Sequence, residues 1–163
     1  MRKPFRIAAA LLVGLFVIGA AVNGFQQKSA LTPPGTLAGR TLTTDPELVA
    51  ESKKFTGEMR KENGGNGGTV AMYTDGNGDV EFMLLAVRGL STEERDLRDM
   101  ASGGVSVDPS SKQSFGPIDC FVVAQTSAIC LWHDDISGAL MTFFDDDLVA
   151  AAALAAEAKR KLG

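Results

Sequence analysis

Two cysteines, Cys120 and Cys130, sit inside two apolar runs that meet around Gln125 to Ser127. The runs, Ile118-Asp119-Cys120-Phe121-Val122-Val123 and Ala128-Ile129-Cys130-Leu131-Trp132, are rich in β-branched and aromatic residues, which predicts a β-hairpin. If Cys120 faces Cys130, the turn centres on Gln125 and both thiols lie on one face of neighbouring strands, within bonding range. A disulfide closing so short a loop adds roughly 3 kcal/mol by restricting the unfolded chain. It also requires an oxidising compartment. The chain holds no other cysteine and one histidine, which excludes a cysteine-rich zinc module or a multi-histidine metal cage.

The end of the hairpin carries the candidate surface site, Trp132, His133, Asp134 and Asp135. Trp132 is two residues from Cys130, so it shares the cysteine face and is expected to pack on the disulfide. His133 is three residues from Cys130 and points to the opposite face, which argues against a Cys-His nucleophile. His133 with Asp134 or Asp135 suits general acid-base work in a hydrolase. The plainer reading is a strand terminus with turn carboxylates. No residue is assigned here as catalytic, as cofactor-binding or as a metal ligand.

The other constraint is N-terminal. Arg2, Lys3 and Arg6 precede Ile7 to Val22, an unbroken apolar run that extends through Asn23 and Gly24 to Phe25. At about 1.5 Å per residue the longer stretch spans roughly 28 Å, close to a bilayer's hydrocarbon core. The basic flank places the remainder on the far side of the membrane. Residues 1–25 read as an uncleaved single-pass anchor, with a cleaved signal peptide using Gly19 and Ala21 as the alternative. All 20 acidic residues lie beyond Phe25 against 13 of the 16 basic ones, so that part carries a net −7. This charge disfavours a nucleic-acid partner.

Residues 26–44 read as a flexible tether with a Pro33-Pro34-Gly35 breaker, with an irregular arm packed on the domain as the alternative. The folded domain is then 45–163. Thr44-Asp45-Pro46-Glu47 opens a helix, with Leu48, Ser52, Phe55 and Met59 at helical spacing to about Glu62. Thr69 to Tyr73 and Val80 to Val87 are strands around Asp75-Gly76-Asn77-Gly78-Asp79, and the near-continuous apolar character of Val80 to Val87 marks a central, well-covered strand. That turn is not a calcium loop, because Val80 replaces the sixth-position Gly and Ala86 the twelfth-position Glu. Ser91-Thr92-Glu93-Glu94 caps a short helix with Leu97, Met100 and Ala101 facing inward, and Ser102 to Pro117 is a long loop. Gly138 to Phe144 is a strand, and Asp145-Asp146-Asp147 opens an Ala-rich helix that ends in Lys159-Arg160-Lys161.

The Cys-x9-Cys-x-Trp hairpin, with its acidic turn, small-residue strand and Ala-rich helix, resembles a group of uncharacterised exported proteins of actinobacteria, Streptomyces-type. The matching stretch is about Ile118 to Phe144, and His133-Asp134-Asp135 departs from the Ala-Asp of that group. The resemblance implies a compartment and a disulfide, and no activity.

The expected fold is α+β: an N-terminal transmembrane helix and a small domain whose antiparallel sheet has about five strands, with helices on one face. The expected function is that of a non-enzymatic binding or interaction module of the cell envelope, extracytoplasmic and anchored in the plasma membrane. It would need no cofactor, and its partner would be an envelope protein or a small ligand. The alternative is an exported hydrolase using His133 with Asp134 or Asp135.

Overall fold

The structure, a computed structural model, describes residues 31–62, 67–88, 107–123, 127–134, 136–142 and 147–163. The expected membrane segment, 1–25, and the expected helix after Ser91 lie outside these residues. Among the described residues no helix is long and apolar enough to cross a membrane.

The described strands are β1 (Thr36–Leu37), β2 (Arg40–Leu42), β3 (Gly68–Thr74), β4 (Val80–Arg88), β5 (Gln113–Phe115), β6 (Ile118–Val123), β7 (Ser127–Trp132) and β8 (Ile136–Thr142). Helix α1 (Pro46–Glu62) separates β2 from β3, and α2 (Leu148–Leu162) ends the chain. All eight strands join one antiparallel sheet in the order β1-β2-β3-β4-β8-β7-β6-β5. Each half is a run of sequence neighbours, and the halves meet where β4 pairs with β8.

Local sequence explains the longer elements. Asp45 caps α1 through Oδ1, which accepts from the amides of Glu47 at 2.9 Å and Leu48 at 3.3 Å. Asp147 does the same for α2, accepting from Val149 and Ala150. In the β3–β4 turn, Asp75 Oδ1 accepts from the amides of Asn77 and Asp79, and Gly78 takes a left-handed φ of 84°. The nearly continuous apolar β4, interrupted by Glu81, lies between β3 and β8, the central position expected for it.

The sheet differs from expectation in strand number and in coverage. Among the described residues it has eight strands, not about five. The three additional ones, β1, β2 and β5, are two or three residues long, too short for a period-two pattern to register. β1 and β2 lie within the stretch expected as a tether, where Leu31 and Leu37 are buried. β5 lies within the expected Ser102–Pro117 loop, where Val107 also bridges to Val123.

The two α-helices among the described residues lie on opposite faces, not on one. Leu148, Ala151, Ala155 and Ala158 of α2 share one apolar layer with Tyr73, Leu84, Cys120, Cys130 and Trp132. Phe55 and Met59 of α1 share the other with Met72, Leu85, Phe121 and Ile129. Alternate residues along β4 and β7 feed opposite layers, as the strand pleat requires. Neither layer can face water, so both faces need cover.

Candidate functional site

The site begins with the cysteine hairpin. Its register places Ile118 opposite Trp132, Cys120 opposite Cys130 and Val123 opposite Ser127, as expected from the sequence. Cys120 and Cys130 form a disulfide, with their Cα atoms 4.0 Å apart and neither residue exposed. The bond joins two adjacent strands beneath α2, so it holds the floor on which that helix packs.

Trp132 belongs to this layer, not to the surface. It is 1% exposed and lies in the same cluster as the disulfide. Its strand partner is Gly138, and the indole covers the place where a side chain there would stand: a Cβ on Gly138 would lie 2.2 Å from Trp132 Cζ2. Gly138 is therefore small because the tryptophan occupies its face. The indole Nε1 is buried and has no hydrogen-bond partner among the described residues.

The alternation that buries Trp132 turns His133 the other way. His133 is exposed, and its Nδ1 lies 3.2 Å from Ser137 Oγ, with the donor set by the ring's tautomer. Ser137 is only 1% exposed, so its hydroxyl is shielded from solvent. The hairpin logic did not reveal Ser137. It lies four residues from His133, across the turn into β8, and no motif announces the pairing.

Asp134 turns the chain. Its Oδ1 accepts from the Ile136 amide at 2.9 Å, and its carboxylate forms an ion pair with Lys159 of α2. Burial pushes its pKa upward, but the Lys159 and Ile136 hydrogen bonds and the charges of Lys159 and His133 outweigh this and hold it below the usual carboxylate range. Lys159 was expected only to complement the helix dipole, and it also ties the end of α2 to the β7–β8 turn. Asp135 lies outside the described residues.

The structure thus divides the four sequence-selected residues. Trp132 is core, His133 contacts a buried serine, and Asp134 is held by an amide and a lysine. No cluster of three or more metal-ligating side chains occurs among the described residues. Asp75 of the glycine-rich turn is likewise engaged, and its pKa is lowered first by the Asp79 amide and then, against a raising contribution from burial, by Asn77 and Gly78.

No protein-family model matches this chain, and the chain is similar to no curated protein and no solved structure.

Proposed function

We propose that this domain is a non-enzymatic binding module that works outside the cytoplasm, at the cell envelope, carried there by the apolar N-terminal segment. The observation that carries the reading is the buried Cys120–Cys130 disulfide. A cross-strand disulfide in the core belongs to a chain that folds in an oxidising compartment. The positively flanked apolar run Ile7 to Val22 supplies the route across a membrane. The resemblance to exported actinobacterial proteins points the same way. The partner is an envelope protein or a small ligand.

The binding role draws support from where the polar groups at the hairpin end are committed. The Asp134 carboxylate is bonded to a backbone amide and a lysine, so it is not aimed as a base at His133. The hydrolase alternative retains one observation, the 3.2 Å contact between Ser137 Oγ and His133 Nδ1. Its weakness is a hydroxyl that is almost wholly buried.

The test has two arms. Alkaline phosphatase, active only after export, is fused to the C-terminus, and activity in whole cells is the expected result; an inactive fusion overturns the location. Proximity labelling from the same C-terminus then reads the neighbours, and enrichment of no envelope component refutes the binding role. A fluorophosphonate probe addresses the alternative: Ser137 is expected to stay unlabelled, and labelling lost in His133→Ala would establish the hydrolase.

A further inference from the structure

We propose that residues 31–43 form a strap that opens from the domain as one unit while the rest of the sheet stays closed. The strap would open in this way whatever the domain binds.

The first support is how little backbone pairing holds it. β2 joins β3 through two residue pairs, Thr41 with Thr74 and Leu42 with Tyr73. β3 joins β4, and β4 joins β8, through seven pairs each. The strap nevertheless buries Leu31 and Leu37 against the α2 layer. Its docking therefore depends on a few side-chain contacts around a small apolar plug, the pattern of a segment that opens locally before the global unfolding step.

Those contacts form a clasp with α2. Glu157 Oε1 accepts from the Ala38 amide at 3.1 Å, and Lys161 Nζ donates to Thr36 O at 2.7 Å. Glu157 and Lys161 pair with each other at 2.8 Å, one turn apart on the helix. Arg40 reaches Glu81 of β4, and Tyr73 donates its hydroxyl to Pro34 O at 2.7 Å. The charged contacts are partly exposed, so water and salt compete for them. Ala38 adds strain at the strap's turn, since it holds a left-handed φ of 46° that favours glycine.

The strap covers a defined object, the outer edge of β3. Helix α1 serves one half of that edge: Thr56 Oγ1 accepts from the Val70 amide and Arg60 Nε donates to Gly68 O. The strap serves the other half through the Thr43 amide on Met72 O and the Leu42–Tyr73 and Thr41–Thr74 pairs. Opening leaves that half of the edge unpaired and bares Tyr73, the kind of edge an extended chain can join. The strap directly follows residue 30 in the sequence, so a pull on the N-terminal segment acts on it first.

Amide hydrogen exchange of the full-length chain in detergent micelles tests the proposal. The Thr43 amide, whose bond to Met72 O breaks on opening, should exchange at least roughly tenfold faster than those of Leu84 and Leu85 in β4. The Glu157→Ala/Lys161→Ala double variant should speed the Thr43 amide several-fold further and leave β4 unchanged. Ala38→Gly, which relieves the strained turn and keeps the backbone amide that Glu157 binds, should slow it. A Thr43 amide that exchanges only at the β4 rate overturns the proposal, and so does a double variant that accelerates strap and β4 equally.

Discussion

Gly138→Ala isolates the contact on which the disulfide layer is built. The added Cβ would stand 2.2, 2.5 and 2.8 Å from three atoms of the Trp132 indole, where ordinary carbon contacts are about 3.5–4.0 Å. The ring therefore has to move by more than 1 Å. It cannot swing into solvent, because Trp132 is 1% exposed beneath the close-packed alanines of α2. Overpacking of this kind costs about 1–3 kcal/mol. Replacing a strand glycine by alanine returns about 0.5–1 kcal/mol through lower unfolded-state entropy. The net expectation is a loss of about 1–2 kcal/mol. Trp132 is the sole tryptophan, so urea denaturation followed by its fluorescence reads the midpoint and the ring's environment together. In the Trp132→Leu background, followed by circular dichroism, the same substitution should be neutral or stabilising. A Gly138→Ala protein with an unshifted midpoint and unchanged native emission would refute the reasoning.

Gly68→Ala should be milder despite a 2.5 Å approach, because its nearest neighbour is the flexible tip of Met59; a loss under about 1 kcal/mol by urea titration is expected. Cys120→Ala/Cys130→Ala should lower stability by about 2–5 kcal/mol in the same titration. Ser111→Ala removes the hydroxyl that accepts from the half-buried Val122 amide at 2.8 Å, so a loss of about 1–2 kcal/mol is expected. Asp134 and Glu157 both have lowered pKa values in the fold, Glu157 through the Lys161 side chain first and then the Ala38 amide. Their contribution is complete above the unfolded carboxylate values near about 4 and is lost as pH falls through the lower folded values. Melting temperature should therefore drop more gently below pH 4 in Asp134→Asn than in the parent, measured by calorimetry.

Signals that repeat within a short window were legible in the sequence. The cysteine pair gave the β6–β7 register, the Asp45-Pro46 start and Phe55-Met59 spacing gave α1, and the nearly continuous apolar run of β4 gave its central place. What escaped was decided by partners distant in sequence. β1 and β2 have too few residues to show a period, and their turn uses Ala38 and Gly39 where an Asn-Gly signal would have been read. That stretch looked like a tether because its prolines and small polar residues are equally at home in one. Leu31 and Leu37 are apolar only singly, and their burial depends on α2 more than a hundred residues later. The two-sided sheet was obscured because α1 and α2 are each amphipathic, which shows that a helix has a buried face and not which side of the sheet receives it. At the candidate site, Trp132 was assigned to the disulfide face and yet grouped with surface residues. The pleat that buries it had already separated it from His133.

The central claim, an extracytoplasmic domain locked by its hairpin disulfide, is tested most directly by thiol state in the producing cell. Cells are quenched in acid, and the denatured protein is treated with a polyethylene-glycol maleimide before and after reduction. The account predicts no mass shift before reduction and a shift of two adducts after it, on Cys120 and Cys130. Two adducts without reductant would contradict it.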